Sequence, residues 1–393
     1  MKFKRIINIV TFCMICSACS MAAAQEPISI PEDYQAATAQ TELQKSGPKL
    51  IFSDSPEMVN ATGILYRDTV QGDVRLFFHH VNNIGGKKKL AVLLTNTDNL
   101  RPAHYKMLRN GIGGYHYDYM RDGKQALQKY FNDDTQVPYE GNLGFSRSVE
   151  LLSGKGVILP YGRLVTGIID LHLDKPLQVT VLMCEPQQDI ELFNEDAAVL
   201  PMDEHPLRGT FDNSDWNYKV LQTISADTAV MLKLADNENE GYLKGIDVPD
   251  NKSVENYGNY GVIYHVHFTV VGEKPVSFII SPIGGPFAGY GVLENKTTKT
   301  RQLIALPEHD VAFGNKVDDA AKITELTAGE YNFIWSPPGA SNLPICTSQQ
   351  ILDTNHKKIY NKKLSVSQIS VRNATCDIEL ASDSLTNKLD AVH

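Results

Sequence analysis

The chain has 393 residues, 42% hydrophobic and 8% aromatic, and its 37 Lys and Arg against 46 Asp and Glu give a formal net charge of −9. That length supports two apolar cores, and the acidic balance argues against a nucleic-acid backbone or anionic lipid as the main partner. Six cysteines in such a length exclude a disulfide-dense scaffold, so the apolar cores must carry the stability.

The N-terminus sets Lys2, Lys4 and Arg5 ahead of an apolar run from Ile6 to about Cys16 and ends it in Ala22-Ala23-Ala24. This layout predicts a signal peptide over 1–24, cleaved after Ala24, and an exported chain that is secreted, periplasmic or at the cell surface. Lipidation at Cys19, behind Ser17-Ala18, is the alternative, although Cys16 stands where a lipobox usually has leucine. No other run approaches the roughly 18 apolar residues of a membrane helix, so no transmembrane segment is expected in the mature chain. Cleavage leaves Cys184, Cys346 and Cys376, of which Cys346 and Cys376 either pair or stay as buried thiols.

Residues 25–44 are polar and read as a flexible leader. From Gly63 to Asp98 the segments GILYRDTV, DVRLFFHHVNN and KKKLAVLLTNTD read as strands, with Asn82 to Gly86 turning the chain back. DGKQALQKYF follows as a helix: Asp122 lies three residues before Gln125, as in a capping box, and Ala126, Leu127, Tyr130 and Phe131 supply an apolar stripe. Strand patterning resumes from Val149 to Met183, and the Pro-containing passage Pro186 to Trp216 places a boundary near residue 205.

Beyond it, Tyr257 to Gly291 is the clearest stretch of the chain. Tyr264, Val266, Phe268 and Val270 alternate with His265, His267 and Thr269, which puts an apolar face against a polar one. Gly272-Glu273-Lys274-Pro275 reads as a turn and Val276 to Ile280 as the return strand of a β-hairpin. The same interval occurs from Gly162 to Pro176 in GRLVTGIIDLHLDKPLQVTVL, which predicts a related hairpin in each half, by duplication or by reuse of the same folding rules. The expected architecture is all-β (mainly β): two tandem β-sandwich domains, 45–204 and 205–350, one short helix in the first, and a C-terminal extension 351–393.

The runs GILYRDTV, RLFFHHVNN and KKKLAVLLTNTD, with HPLRGTF, YGNYGVIYHV and LTAGEYNFIWSPPGASNLPI, resemble an uncharacterised family of exported bacterial proteins over about residues 50 to 350. Some of its members are associated with stalk-like domains similar to the copper amine oxidase N-terminal domain, a domain not evident in this chain. The resemblance implies no activity, ligand or catalytic residue.

Function must therefore be sought in side-chain constellations. Tyr115, Tyr117 and Tyr119 alternate around His116 and Asp118, and Tyr257, Tyr260, Phe287 and Tyr290 sit among glycines. Tyrosine faces stack on sugar rings and nearby carboxylates bind hydroxyls, so these residues are the candidate ligand-binding set; cross-strand packing is the competing explanation. His265 and His267 share one strand face, a spacing suited to a metal such as zinc, but the further ligands are unassigned, so the pair is a polar sheet face first and a metal site second. His79-His80 reads as one solvent-facing and one half-buried imidazole. The clusters Asp212-Asn213-Ser214-Asp215 and Asp236 to Glu240 are turns first and structural calcium sites second. No G-x-S-x-G, no H-E-x-x-H and no local cysteine–histidine signature is present. These readings favour an envelope-associated structural or binding protein, with a glycan, a cell-wall polymer or an envelope protein as partner. A secreted carbohydrate-active or metal-dependent hydrolase is the alternative.

Overall fold

A computed structural model describes residues 28–29, 37–152, 157–228, 230–308, 312–314 and 319–350. The expected signal peptide, the Cys19 lipidation site, part of the leader, and the extension 351–393 with Cys376 lie outside the described residues. β-Branched and aromatic alternation makes the chain mainly β and sandwich-like, with helices at Tyr119–Phe131 and Ile190–Asp196 among the described residues. No helix among them is long and apolar enough to cross a membrane.

Two long antiparallel strands, Gly63–Asn82 and Leu164–Cys184, form the spine of a sheet with twelve strands among the described residues. The GILYRDTV and DVRLFFHHVNN segments are therefore one strand, not two. The DKP segment at 174–176, expected as a hairpin turn, is a bulge inside a continuous strand. Pro176 has no N–H to give a ladder, and the register shifts between Leu173 and Leu177 opposite Gly72, whose φ of +82° supplies the matching kink. Strand Leu164–Cys184 then serves two neighbours on its far side: Ala103–Gly114 along its first part and Lys88–Thr95 along its last.

The same sheet continues into the second half. Lys49–Ser53 pairs in parallel with Gly63–Asn82, Arg208–Phe211 pairs with Lys49–Ser53, and Leu243–Asp247 and Lys252–Asn256 extend it to an edge. Strands on either side of residue 205 are thus joined by hydrogen bonds. Thr41–Ser46, in the leader and first half by sequence, likewise pairs with Asp215–Ile224.

Two six-stranded sheets, counted over the described residues, pack face to face as a sandwich. One contains Ile263–Val270 between Asp215–Ile224 and Gly329–Trp335; the other contains Val276–Pro282 between Asp319–Leu326 and Ile345–Gln350. The expected 263–280 hairpin is thus a crossing from one sheet to the other. Alternation fixes which face a residue takes, not which strand it bonds; Phe268 and Phe278 meet across the core, with ring centroids 6.1 Å apart, instead of lying side by side in one ladder. The alternation itself holds, with Tyr264, Val266, Phe268 and Val270 buried and the histidines between them half-buried. The two stretches with matching Gly-to-Pro intervals therefore fold differently, one as a bulged strand and one as a crossing.

The helix Tyr119–Phe131 is capped by Asp118, whose side chain accepts from Arg121 N, one turn earlier than Asp122 suggests. Leu127, Tyr130 and Phe131 join the second core, and the helix backbone lies so close to strand Ala103–Gly114 that a Cβ on Gly113 would stand 1.9 Å from Asp122 O. Asp122 is buried and bonded to His116 Nδ1 at 2.5 Å. His79 and His80 are both buried, because the strand that carries them is covered on both faces. Cys184 and Cys346 are buried free thiols.

Candidate functional site

The end of the large sheet is built on Arg208. This fully buried guanidinium donates Nε and Nη2 to the two carboxylate oxygens of Asp247 at 3.0 and 3.1 Å and Nη1 to Leu200 O and Leu65 O at 2.7 and 3.2 Å. The fork ties strand Arg208–Phe211 to strand Leu243–Asp247 and to the long strand beneath them. Thr210 sits in a second chain: it donates to Asp68 Oδ2 at 2.6 Å and accepts from the Tyr66 phenol at 2.9 Å. Burial raises the Tyr66 phenol well above its ordinary pKa, so it stays a neutral donor.

Over this frame lies an open groove of about 910 Å³, lined by Lys49, Asp68, Thr210, Asp212, Lys244, Ile246, Lys252, Val254, Glu255 and Tyr257 among others. The strands forming it alternate so that Ile246 and Lys244 face outward while Leu243 and Asp247 face in. Its charges come in pairs: Lys49 with Asp212 at 2.5 Å, Lys244 with Glu255 at 3.4 Å. Tyr257 is 50% exposed at the rim, and its ring packs edge-on against Tyr242 at 5.7 Å and 84°. The groove thus presents an aromatic ring of fixed orientation, an apolar side chain at the exposed Ile246, and donors and acceptors of both signs.

Of the aromatic set, Tyr115 and Tyr117 lie on the loop that leads into the helix, and Tyr119 is the helix's first residue. Tyr117 is 77% exposed under the Arg163 guanidinium, Tyr115 is held at φ 78° with half its surface exposed, and Tyr119 is half-buried with its hydroxyl directed to Gly162 O at 3.4 Å. Tyr257 stands in the groove, apart from the rest of its own cluster. Tyr260 is packed between Phe52 and Phe77 and donates its hydroxyl to Ser341 O at 2.9 Å; Phe287 is fully buried; Tyr290 lies under Lys124, with its ring centroid 5.8 Å from the ammonium. Phe287 offers no surface to a ligand.

His265 and His267 face the same way from their strand, half-buried, and burial lowers both pKa values. Asp215 counteracts this at His265 and Glu294 at both. Among the described residues no group of three or more His, Cys, Asp or Glu is placed to hold a metal ion. The acidic turns have internal duties: Asp215 binds Arg75 at 2.7 Å, Asp236 caps its own turn by accepting from Glu238 N and Asn239 N, and Glu240 accepts hydrogen bonds from Tyr218, Tyr264 and Asn259.

A second polar centre surrounds the 53–57 turn. His80 bonds Ser53 Oγ through Nε2 and Pro56 O through Nδ1, both at 2.9 Å, and Asp203 accepts from Ser55 Oγ and Glu57 N, both at 2.8 Å. His79 places Nε2 3.9 Å from Glu57 Oε1, and its buried Nδ1 has no hydrogen-bond partner. Burial drives the imidazoles of His79 and His80 down to about 3 and about 4, and drives the Asp54 and Glu57 carboxyls up. This centre holds the chain turn against the sheet.

No family model and no curated protein matches the chain. Among solved structures it has a likeness to dimeric latent PorU from Porphyromonas gingivalis, at 8% identity over 81% of this chain and 21% of that one, with a TM-score of 0.10. The chain spans about a fifth of that structure's length.

Apart from Tyr257, and Asp212 as part of an acidic turn, the groove residues were not legible as a site. LKGID and KSVEN are five-residue edge strands with charges on both sides of single apolar residues, and such runs resemble loops. The one available signal was the pair of alternating lysines, Lys244 and Lys252, flanking the Val-Pro-Asp-Asn turn at 248–251.

Proposed function

We propose that this is an exported, envelope-associated binding protein that holds a segment of glycan or cell-wall polymer in the groove at the edge of the large sheet. The observation that carries the reading is the groove itself: about 910 Å³, with the half-exposed Tyr257 ring at its rim and paired lysines and carboxylates along its walls. Its volume falls in the size range of small-ligand clefts, about 300–1,000 Å³. A sugar ring lays its C–H face on an aromatic ring and divides its hydroxyls between acceptors and donors, so it makes use of Tyr257, Asp212, Glu255 and Lys244 together. The charged pairs face water, so a ligand that covers them must displace that water, and each pair contributes only modestly. Affinity is expected to come from repeated contacts along a polymer. Tyr117, exposed over Arg163 on a loop of its own, supplies a further stacking surface of the same type.

The test is a glycan array followed by titration with soluble cell-wall fragments, using the unaltered chain, Tyr257→Ala, and a Tyr257→Ala/Asp212→Ala double variant. The reading predicts signals for a restricted set of saccharides, lowered by the single change and abolished by the double. Uniform background for every saccharide, or the same signal from all three proteins, would remove it.

A further inference from the structure

At another place in the fold, two large apolar side chains stand in water on a loop pair that is anything but loose. Leu100 is 81% exposed and Phe145 is 60% exposed. Their loops, 96–102 and 143–147, are fastened to each other by the buried side chain of Asn96. Its Nδ2 donates to Arg101 O at 2.8 Å, Gly144 O at 3.1 Å and Leu143 O at 3.4 Å, and its Oδ1 accepts from Asp98 N at 3.1 Å. Two backbone bonds close the pair, Asn96 N to Arg147 O at 2.9 Å and Ser146 N to Asp98 O at 3.1 Å. Asp98 adds a cap within its own loop, accepting from Leu100 N at 2.8 Å and Arg101 N at 3.1 Å. The loops cannot fold Leu100 and Phe145 inward without breaking this set. A device that spends so many hydrogen bonds to keep apolar side chains exposed marks an interaction surface.

The surroundings suggest what covers it. Arg101 and Arg147 are exposed on the same loops, and Lys175 approaches from the neighbouring strand to donate to Pro102 O at 2.7 Å. The carboxylates nearby are Asp98, held by Arg101 at 2.8 Å, Asp174, which accepts from His104 N at 2.8 Å, and the exposed Glu191 of the recess beside the tip. Beside the tip an open cavity of about 470 Å³ is lined by Tyr105, Tyr139, Asn142, Arg147 and Glu191 among others. Two projecting apolar groups, an exposed arginine on each loop and an adjacent polar recess with an arginine, a phenol and a carboxylate match the layers of a bilayer surface: acyl boundary, phosphate and headgroup. A protein groove could receive Leu100 and Phe145, but it would not call for cations on both loops and a recess beside them.

We propose that the tip formed by loops 96–102 and 143–147 inserts Leu100 and Phe145 into the interface of a phospholipid membrane, with Arg101 and Arg147 on the lipid phosphates. The net charge of −9 opposes purely electrostatic attachment of the whole surface, so the attachment is local and apolar insertion drives it. This inference is independent of the glycan groove.

The experiment is co-sedimentation of the exported full chain with vesicles of phosphatidylglycerol and phosphatidylethanolamine, and with vesicles of phosphatidylcholine alone. It compares the unaltered protein with Leu100→Asp/Phe145→Asp and with Arg101→Gln/Arg147→Gln. All four positions are exposed and circular dichroism checks that the fold is kept. The expected result is binding to both vesicle types and tighter binding to the anionic ones. The aspartate pair should lose at least about tenfold in vesicle affinity, and the glutamine pair should lose chiefly the preference for anionic lipid. No vesicle binding by the unaltered chain, equal binding by the aspartate variant, or retention of a protein partner through Leu100 and Phe145 in place of vesicles would each overturn the proposal.

Discussion

Replacing Arg75 with methionine should cost about 3 kcal/mol of stability. The guanidinium is 4% exposed and gathers groups from both halves of the chain. Nε and Nη2 donate to the two oxygens of Asp170 at 2.8 and 3.2 Å, and Nη1 donates to Asp215 Oδ1 at 2.7 Å and Ser214 O at 3.1 Å. Methionine fills the volume of the arginine stem, so the loss is electrostatic and not a cavity. Removing one member of a buried ion pair typically costs about 3–5 kcal/mol, because the remaining charge is left unpaired. Here the lower end applies, since the Asp170 and Asp215 side chains are 20% and 28% exposed and Asp170 keeps the Tyr130 hydroxyl at 2.7 Å. The assay is urea unfolding of the unaltered chain, Arg75→Met, and Arg75→Met/Asp170→Asn. The second change removes one stranded charge and should restore about 1 kcal/mol or more. Arg75→Lys should not rescue, because an ammonium cannot serve the Asp170 fork and reach Asp215 together. An Arg75→Met variant within about 1 kcal/mol of the unaltered chain would show that the seam between the halves does not depend on this centre.

The buried imidazoles should make the protein acid-sensitive. His79 has its folded-state pKa depressed to about 3 by burial, below the 6.5 of an exposed imidazole, so below pH 6.5 the unfolded chain takes a proton that the native one refuses. Stability is present above that pH and drains away as pH falls, at about 1.4 kcal/mol per pH unit for this group. His79→Gln has no such proton to take, and in unfolding at pH 7 and pH 5 it should gain about 2 kcal/mol relative to the unaltered chain. A difference independent of pH would mean that His79 is charged or solvated when folded. Gly123→Ala places a Cβ 2.0 Å from Gly339 O, so despite a gain of about 1 kcal/mol in helix propensity it should destabilise by about 2 kcal/mol net or prevent docking of the helix. A melting temperature at or above that of the unaltered chain would contradict the close approach of helix and loop.

The fold was legible in the sequence where a single face decides it. The series Tyr264, Val266, Phe268, Val270 needs only the period of two to be assigned to a core, and the core is there. Pairing is a separate matter. Val276–Pro282 is buried at every position, a pattern that names no face and no partner, and so the crossing between sheets looked like a hairpin. Asp174-Lys175-Pro176 misled for the opposite reason: its composition is that of a turn, but the seventeen registered pairs with Gly63–Asn82 on either side of it outweigh local preference and reduce it to a bulge. His79 and His80 were expected to divide between water and half-burial, as alternation on a two-layer protein would require; a third covering layer, from the 336–344 loop around Gly339, buries His79 as well. Of the candidate site, Tyr257 and the Tyr115 to Tyr119 loop could be named from composition. Asp212 could be named only as part of an acidic turn, and Lys49, Asp68 and Glu255 could not be named, because they come from three separate segments that meet only when the large sheet has crossed residue 205.

That crossing also decides how the groove is supported. The groove lies on strands Arg208–Phe211, Leu243–Asp247 and Lys252–Asn256, and the first of these takes its ladder partners from Lys49–Ser53 on one side and Leu243–Asp247 on the other. Lys49–Ser53 is itself pinned to Gly63–Asn82 along five registered pairs, one of which sets Leu50 opposite Arg75. The Arg75 centre therefore sits on the strand next to the one that carries Lys49 into the groove. Loosening it should be felt at the groove wall as well as in global stability, since Asp215, one of the carboxylates it holds, is three residues from Asp212, the partner of Lys49. In Arg75→Met a saccharide ligand should bind more weakly at temperatures where the variant is still folded, whereas Tyr257→Ala should weaken binding with no change in unfolding. Only a groove whose wall is positioned by the buried centre separates the two variants in that way.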